Sequence, residues 1–177
     1  MMLPYLFKKT RLPEEIELRA LRQSFEVRYL PTRELSSLPL IENANQQLTF
    51  LGRPKATAVY PALTTWLIKK ARMHLTAWIQ RLSVEKNLPF TGLSIRQQRT
   101  LWGSCTVKKR INLNCKLLFL PTSLAEHVLL HELCHTIHFD HSGAFWALLG
   151  SLDPACREHK KQLKAAHEFV PHWLKMG

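Results

Sequence analysis

The stretch "VLLHELCHTIHFDHSGAFW", residues 128–146, holds four histidines within eleven positions and a glutamate directly after the first. Just upstream, Pro121 marks a boundary, and Ser123 followed three residues later by Glu126 has the spacing of a capping box. This predicts a helix from about Leu124 through His135. On such a helix His131 and His135 are one turn apart and roughly 40° apart around the axis, so both imidazoles reach one ion. Glu132 then projects to one side of that ion. There its carboxylate can take a proton from a water that the cation has made acidic. A catalytic zinc site needs a third protein ligand as well, and an open position.

Several residues compete for that third place. His138 would share the face of the pair on a continuing helix, but about 10.5 Å along the axis from His131, which is too far for good geometry at one ion. His141 points the wrong way on an unbroken helix. It can swing in if the helix stops near His138, and "FDHSG" supplies Asp, Ser and Gly that favour such a break. His141 is therefore preferred, with Cys105 as the main rival through a zinc thiolate. Cys134 lies off the metal face and reads as packed, and His127 as a residue beside the site or at the surface. His74, His159, His167 and His172 read as ordinary, partly exposed histidines.

The rest of the chain sets the context. At 177 residues with 46% hydrophobic and 21% charged content, the composition is globular and suits one domain over residues 1–177. The amino terminus has only a short apolar patch before its basic residues, the reverse of a signal peptide, and no apolar run is long enough to span a membrane. A soluble, cytoplasmic protein is expected, with its four cysteines reduced. The net charge of +12 is unevenly spread: residues 51–119 carry 13 Lys and Arg against one acidic residue, while the flanking segments are nearly neutral. Such a concentrated basic region suits contact with DNA or RNA, or is a solvated surface. Oligomeric state is not legible.

Residues 1–55 read as short strands, including "SFEVRYL" and "QQLTFLG". From about Ala58 to Leu88 the spacing of Val59, Leu63, Trp66, Leu67, Ala71, Leu75, Trp78, Ile79 and Leu82 predicts an amphipathic helix with Lys69, Lys70, Arg72 and Arg81 largely outside. "LSIRQQRTLW" and "RINLNCKLLFL" read as two strands of a hairpin, with Lys108, Lys109 and Arg110 at or near its tip. After the histidines, a short apolar helix precedes another with Asp153 as N-cap and Pro154 at its first position.

"LWGSC", "INLN", the proline before the helix, "HELCH", "DHS" and "FW" occur here in one order. Over roughly residues 94–165 that order resembles the YgjP-like metallopeptidases, relatives of the SprT-like zinc proteases within the zincin group. The resemblance implies an α+β, zincin-like fold, with a small, mainly antiparallel sheet packed on helices. It also implies Zn2+ held by His131, His135 and His141, Glu132 as general base, a protein or peptide substrate, and a strand at "INLN" framing the cleft. By analogy with the SprT-like relatives, the substrate would be a protein on or near nucleic acid. Metzincins share the histidine spacing but have Gly at the position of His138, so the turn here must form without it. The spacing also resembles the YbeY-like zinc endoribonucleases, whose motif HGxLHLxGYDH has Gly where this chain has Glu132 and His138. A non-catalytic metal- or nucleic-acid-binding module is the third alternative. For the oxyanion, His138, Arg96 and Arg99 are conceivable donors.

Overall fold

The computed structural model describes residues 12–32, 39–52 and 55–175. The reading of the amino terminus as lacking a signal sequence falls largely on residues 1–11, outside the described part. Two small sheets and five helices share one hydrophobic cluster that runs from Ile16 to Leu174.

The first sheet contains β1 (Glu15–Leu18), β2 (Gln23–Leu30), β3 (Leu40–Glu42) and β4 (Gln47–Leu51) in the order β1-β2-β4-β3. Its alternation is the one expected for a half-buried strand. Phe25 and Val27 of β2 are buried, and Ser24, Glu26 and Arg28 are exposed. Helix α1 (Ala56–Glu85) buries Val59, Leu63, Trp66, Leu67, Ala71, Leu75, Ile79 and Leu82, every predicted core position except Trp78. Trp78 is half-buried, and its indole N–H donates to Glu126 Oε2 at 3.2 Å. The expected capping box does not form: the next helix starts at Thr122 with Pro121 at its N-cap, so Ser123 is already inside it, and Glu126 instead ties that helix to α1. Lys69, Arg72 and Arg81 are exposed, while Lys70 pairs with Glu42.

The expected hairpin has a different topology. β5 (Gly92–Arg96), β6 (Gly103–Cys105) and β7 (Arg110–Asn114) form a sheet in the order β5-β7-β6, with β5 parallel and β6 antiparallel to β7. "LSIR" and "RINLN" thus pair side by side in one direction, and part of the predicted turn, "GSC", is the hairpin strand. Two asparagines account for this. Asn114 Nδ2 donates to the carbonyls of Gln98 (3.0 Å) and Leu101 (2.7 Å), folding the intervening loop back towards β7. Asn112 stands in the central strand, accepting from Ser94 Oγ at 2.6 Å and donating to Ser104 Oγ at 3.1 Å. The tip is Thr106–Lys109, closed by Lys109 in the left-handed region; Lys108 and Arg110 are exposed and Lys109 is half-buried.

A 3-10 turn over Cys115–Phe119 leads into α2 (Thr122–Cys134), which is buried along most of its length. α3 (Gly143–Leu152), α4 (Cys156–Gln162) and α5 (His172–Lys175) follow. α2 packs against β6, α3 and α4, so one helix meets every element that borders the site. Among the described residues no helix is long and apolar enough to cross a membrane.

Candidate metal centre and cleft

The histidine segment breaks earlier than its spacing suggests. α2 ends at Cys134, and His135 occupies the C-cap. The next amides turn back on the helix end: Thr136 N–H bonds to Leu133 O at 2.9 Å, and Ile137 and His138 N–H both bond to Cys134 O at 3.0 Å. No residue from 136 to 141 has positive φ, so the turn requires no glycine at position 138. The chain then carries His141 back over the helix.

Three ring nitrogens meet there. His131 Nε2 lies 3.1 Å from His135 Nε2 and 3.2 Å from His141 Nε2. Those spacings approximate the edge of a tetrahedron of nitrogens about 2.0–2.1 Å from a shared zinc-sized ion. The His135 tautomer is set as well: its Nδ1–H donates to the His138 carbonyl at 2.9 Å, leaving the Nε2 lone pair free. Burial, then the neighbouring rings of His135 and His141, pushes the His131 imidazole down to about 3, so it offers a lone pair at neutral pH. The three residues could hold a metal ion.

Glu132 is 5% exposed, and its Oε2 has no hydrogen-bond partner. Burial pushes its carboxyl up to about 8. A carboxylate here gains by facing a cation or a water held by one. Gly103 of the edge strand β6 makes room for it: a Cβ at that position would stand 2.7 Å from Glu132 Oε1. "WGSC" is thus more than a packed turn. Its glycine admits Glu132, and Trp102 lines the cleft while stacking on His167 with ring centroids 4.6 Å apart. The strand at "INLN" is the centre of the sheet, and β6 is its edge towards α2.

A second cluster lies one turn earlier on α2. His127 and His159 both direct Nδ1 at Asp153 Oδ2, at 2.6 and 2.8 Å. Its three residues also lie close enough together to hold an ion. Their aim argues otherwise: both imidazoles point at one carboxylate oxygen, at hydrogen-bond lengths, instead of at a common point between three lone pairs. Burial pushes Asp153 up, but the bonds from His159 and His127 outweigh it and hold the carboxyl below the usual range. Burial pushes the His127 imidazole down against the pull of Asp153, consistent with a neutral ring donating to a carboxylate. Asp153 is therefore not the N-cap that its sequence suggests. Its Oδ1 does accept the Ala155 N–H at 3.1 Å, but α4 begins only at Cys156 and the other oxygen belongs to the histidines. His159, expected to be ordinary, joins α4 to α2.

The remaining candidates fall away from the converging nitrogens. Cys105 is half-buried against the core, directs its Sγ at the Thr106 carbonyl at 3.6 Å, and is pushed up to about 11 by burial and then by Glu132, so it stays a thiol. Cys134 is fully buried. His138 contributes its carbonyl and does not line the cleft; neither do Arg96 or Arg99. The cleft, of about 580 Å³, is lined by His127, His131, Glu132 and His141 and walled by Trp102, Gly103, Val128 and Trp146. Lys160, Leu163 and Lys164 complete it, and no signal in the sequence brought these three to the site.

Residues 8–166 match the YgjP-like metallopeptidase domain. The chain belongs to the YgjP-like metallopeptidase family. Membership reaches well beyond the stretch from 94 to 165 that carries the motifs, and takes in the first sheet and α1. It makes this chain a metal-dependent peptidase by family, and gives the converging histidines a chemical context. Comparisons with curated proteins and with solved structures find no match.

Proposed function

We propose that this YgjP-like chain is a zinc-dependent peptidase in which His131, His135 and His141 hold Zn2+ and Glu132 is the general base. The observation that carries the proposal is the convergence of three Nε2 atoms beside a buried glutamate oxygen without a partner. A donor set of three imidazoles fits zinc and leaves a coordination position open. Zinc, when bound, polarises a carbonyl and acidifies a water. Glu132 takes the proton of the attacking water and passes it to the leaving amine. The hydrophobic surroundings of its carboxyl keep it basic enough for that return trip.

His127 holds the substrate. Its Nδ1–H is committed to Asp153, which leaves Nε2 as an acceptor for an amide N–H in the cleft. His138, Arg96 and Arg99, the conceivable donors to the oxyanion, do not line the cleft. Exposed Lys69, Arg72, Arg81, Lys108 and Arg110 support a narrower reading, that substrates are proteins associated with DNA or RNA. The same spacing in YbeY-like endoribonucleases is the alternative, and Glu132 weighs against it.

The deciding experiment pairs metal analysis with protease and ribonuclease assays on the wild type and Glu132→Gln. One zinc per chain in both, with proteolysis only in the wild type, is expected. An active Glu132→Gln protein, or zinc-dependent cleavage of RNA alone, would overturn the reading.

A further inference from the structure

Two cations of the cleft have no task in the chemistry above. Lys160 and Lys164 line it, yet among the described residues neither pairs with a carboxylate. Lys160 is held in place by Trp146: its Nζ stands 4.1 Å from the indole centroid, and that ring stacks on His141 at 5.8 Å. An ammonium over an indole face is a fixed charge rather than a freely waving one. The segment that bears it is fixed as well. His159, next to Lys160, is bonded through Asp153 to His127 on α2, so α4 is tied to the metal-bearing helix from inside.

Among the described residues no carboxylate is paired with either lysine, and Glu158, which precedes Lys160, accepts from Gln162 Nε2 at 3.0 Å. Asp153 is buried and accepts from two histidines, and Asp140 accepts the Ser142 N–H and does not line the cleft. Glu132 is the cleft's one carboxylate among the described residues. An apolar wall that includes Trp146, Leu163 and Val128 reduces screening near the ammonium groups. A substrate seated there meets two unmatched positive charges close to the scissile bond.

We propose that Lys160 and Lys164 form a carboxylate-binding subsite, which selects peptides with an acidic side chain or a free α-carboxylate near the bond to be cut. The inference rests on the peptidase reading for its substrate class. The indole that carries Lys160 touches His141, so the bound carboxylate falls within two or three residues of the scissile bond, at roughly 3.4 Å per extended residue. A nucleic-acid strand is the poorer fit. Its backbone calls for a row of cations tracking many phosphates, whereas the cleft offers two, beside indoles and aliphatic side chains.

The test separates binding from turnover. Zinc-loaded Glu132→Gln full-length protein is titrated with dye-labelled peptides in matched pairs, Asp against Asn at each of three positions on either side of one peptide bond. A second set pairs a free carboxyl terminus with its amide. The expected result is about tenfold tighter binding of one charged member over its neutral isostere, the size of a charge-assisted bond at a partly exposed site. The first set reports an acidic side chain and the second an α-carboxylate. Adding Lys160→Met and Lys164→Met should abolish the difference, and Lys160→Glu with Lys164→Glu should turn the preference towards Lys-containing peptides. Thermal melts confirm that these exposed positions leave the fold intact. Equal binding of both members of every pair, a difference that survives removal of both lysines, or no binding of any peptide would overturn the subsite. So would a single-stranded oligonucleotide that outcompetes every peptide through the same lysines. Wild-type hydrolysis of the same peptides is scored separately: charge-selective binding without cleavage defeats only the peptidase reading, and cleavage without charge selection defeats only the subsite.

Discussion

Two histidine clusters lie one helical turn apart on α2 and use the same chemistry to opposite ends. In the first, the Nε2 atoms of His135 and His141 lie 3.1 and 3.2 Å from that of His131. In the second, His127 and His159 direct Nδ1 at a single oxygen of Asp153. The first arrangement is suited to a cation among the nitrogens, because three imidazoles can each turn a lone pair towards one point. The second satisfies itself, since two N–H groups meet one anion. Proximity of His and Asp is therefore a poor guide to a metal site, and the direction of the lone pairs is a better one.

The largest effect that bears on this contrast is on turnover. Glu132→Gln should lower kcat by about 10³-fold while the zinc content, read by atomic emission, stays at that of the wild type. Next, His141→Ala should drop zinc below one per chain after dialysis, whereas Asp153→Asn should leave it unchanged. Loss of zinc from the Asp153 variant, or a wild type with two ions per chain, would erase the distinction between the clusters. Gly103→Ala comes third. With a methyl group driven against Oε1, Glu132 must move, and kcat should fall by about 10²-fold with metal retained; an unaffected variant would mean that the base does not need its present place.

The smallest effect is on stability. Asp153→Asn should cost about 2 kcal/mol at neutral pH in urea unfolding, the scale for weakening charge-assisted bonds to buried partners. The sign of the pH dependence follows from Asp153's lowered value. A carboxyl more acidic in the folded chain than in the unfolded one stabilises the fold above its unfolded value of about 3.9, and the contribution disappears as the pH falls through the folded value. The carboxylate's share of the gap between wild type and variant should therefore be lost below about pH 4. A gap that persists unchanged well below about pH 4 would mean that the Asp153 carboxylate is not what these bonds depend on.

How much of this was legible depended on the range of the interactions. The core face of α1 could be read because eight burials repeat on a local period. The pairing of His131 with His135, and the return of His141, follow from spacing within eleven residues and a turn-forming "FDHSG". Glu126 and Asp153 were misread for a common reason. Each has the local spacing of a helix cap, and each is taken by a partner distant in sequence, Trp78 in one case and His127 in the other. The parallel pairing of β5 with β7 was hidden because Asn114 reaches back to two carbonyls of an irregular loop, which no strand pattern encodes. Lys160 sits in the short basic helix α4 and Lys164 in the turn after it, and only the docking of that segment brings them to the cleft.

The hydrogen bond from His135 Nδ1 to the His138 carbonyl has a mechanical side. With an ion shared by three imidazoles, the chain from 131 to 141 becomes a closed loop, clipped at both ends and braced at its middle by that one bond. An ion that binds the folded segment and not the unfolded chain favours the closed form by its binding free energy, and its removal withdraws that support. Chelation would thus act on this protein as reduction acts on a cross-linked one: the segment between Thr136 and Asp140 would become the first to open and the first to be nicked.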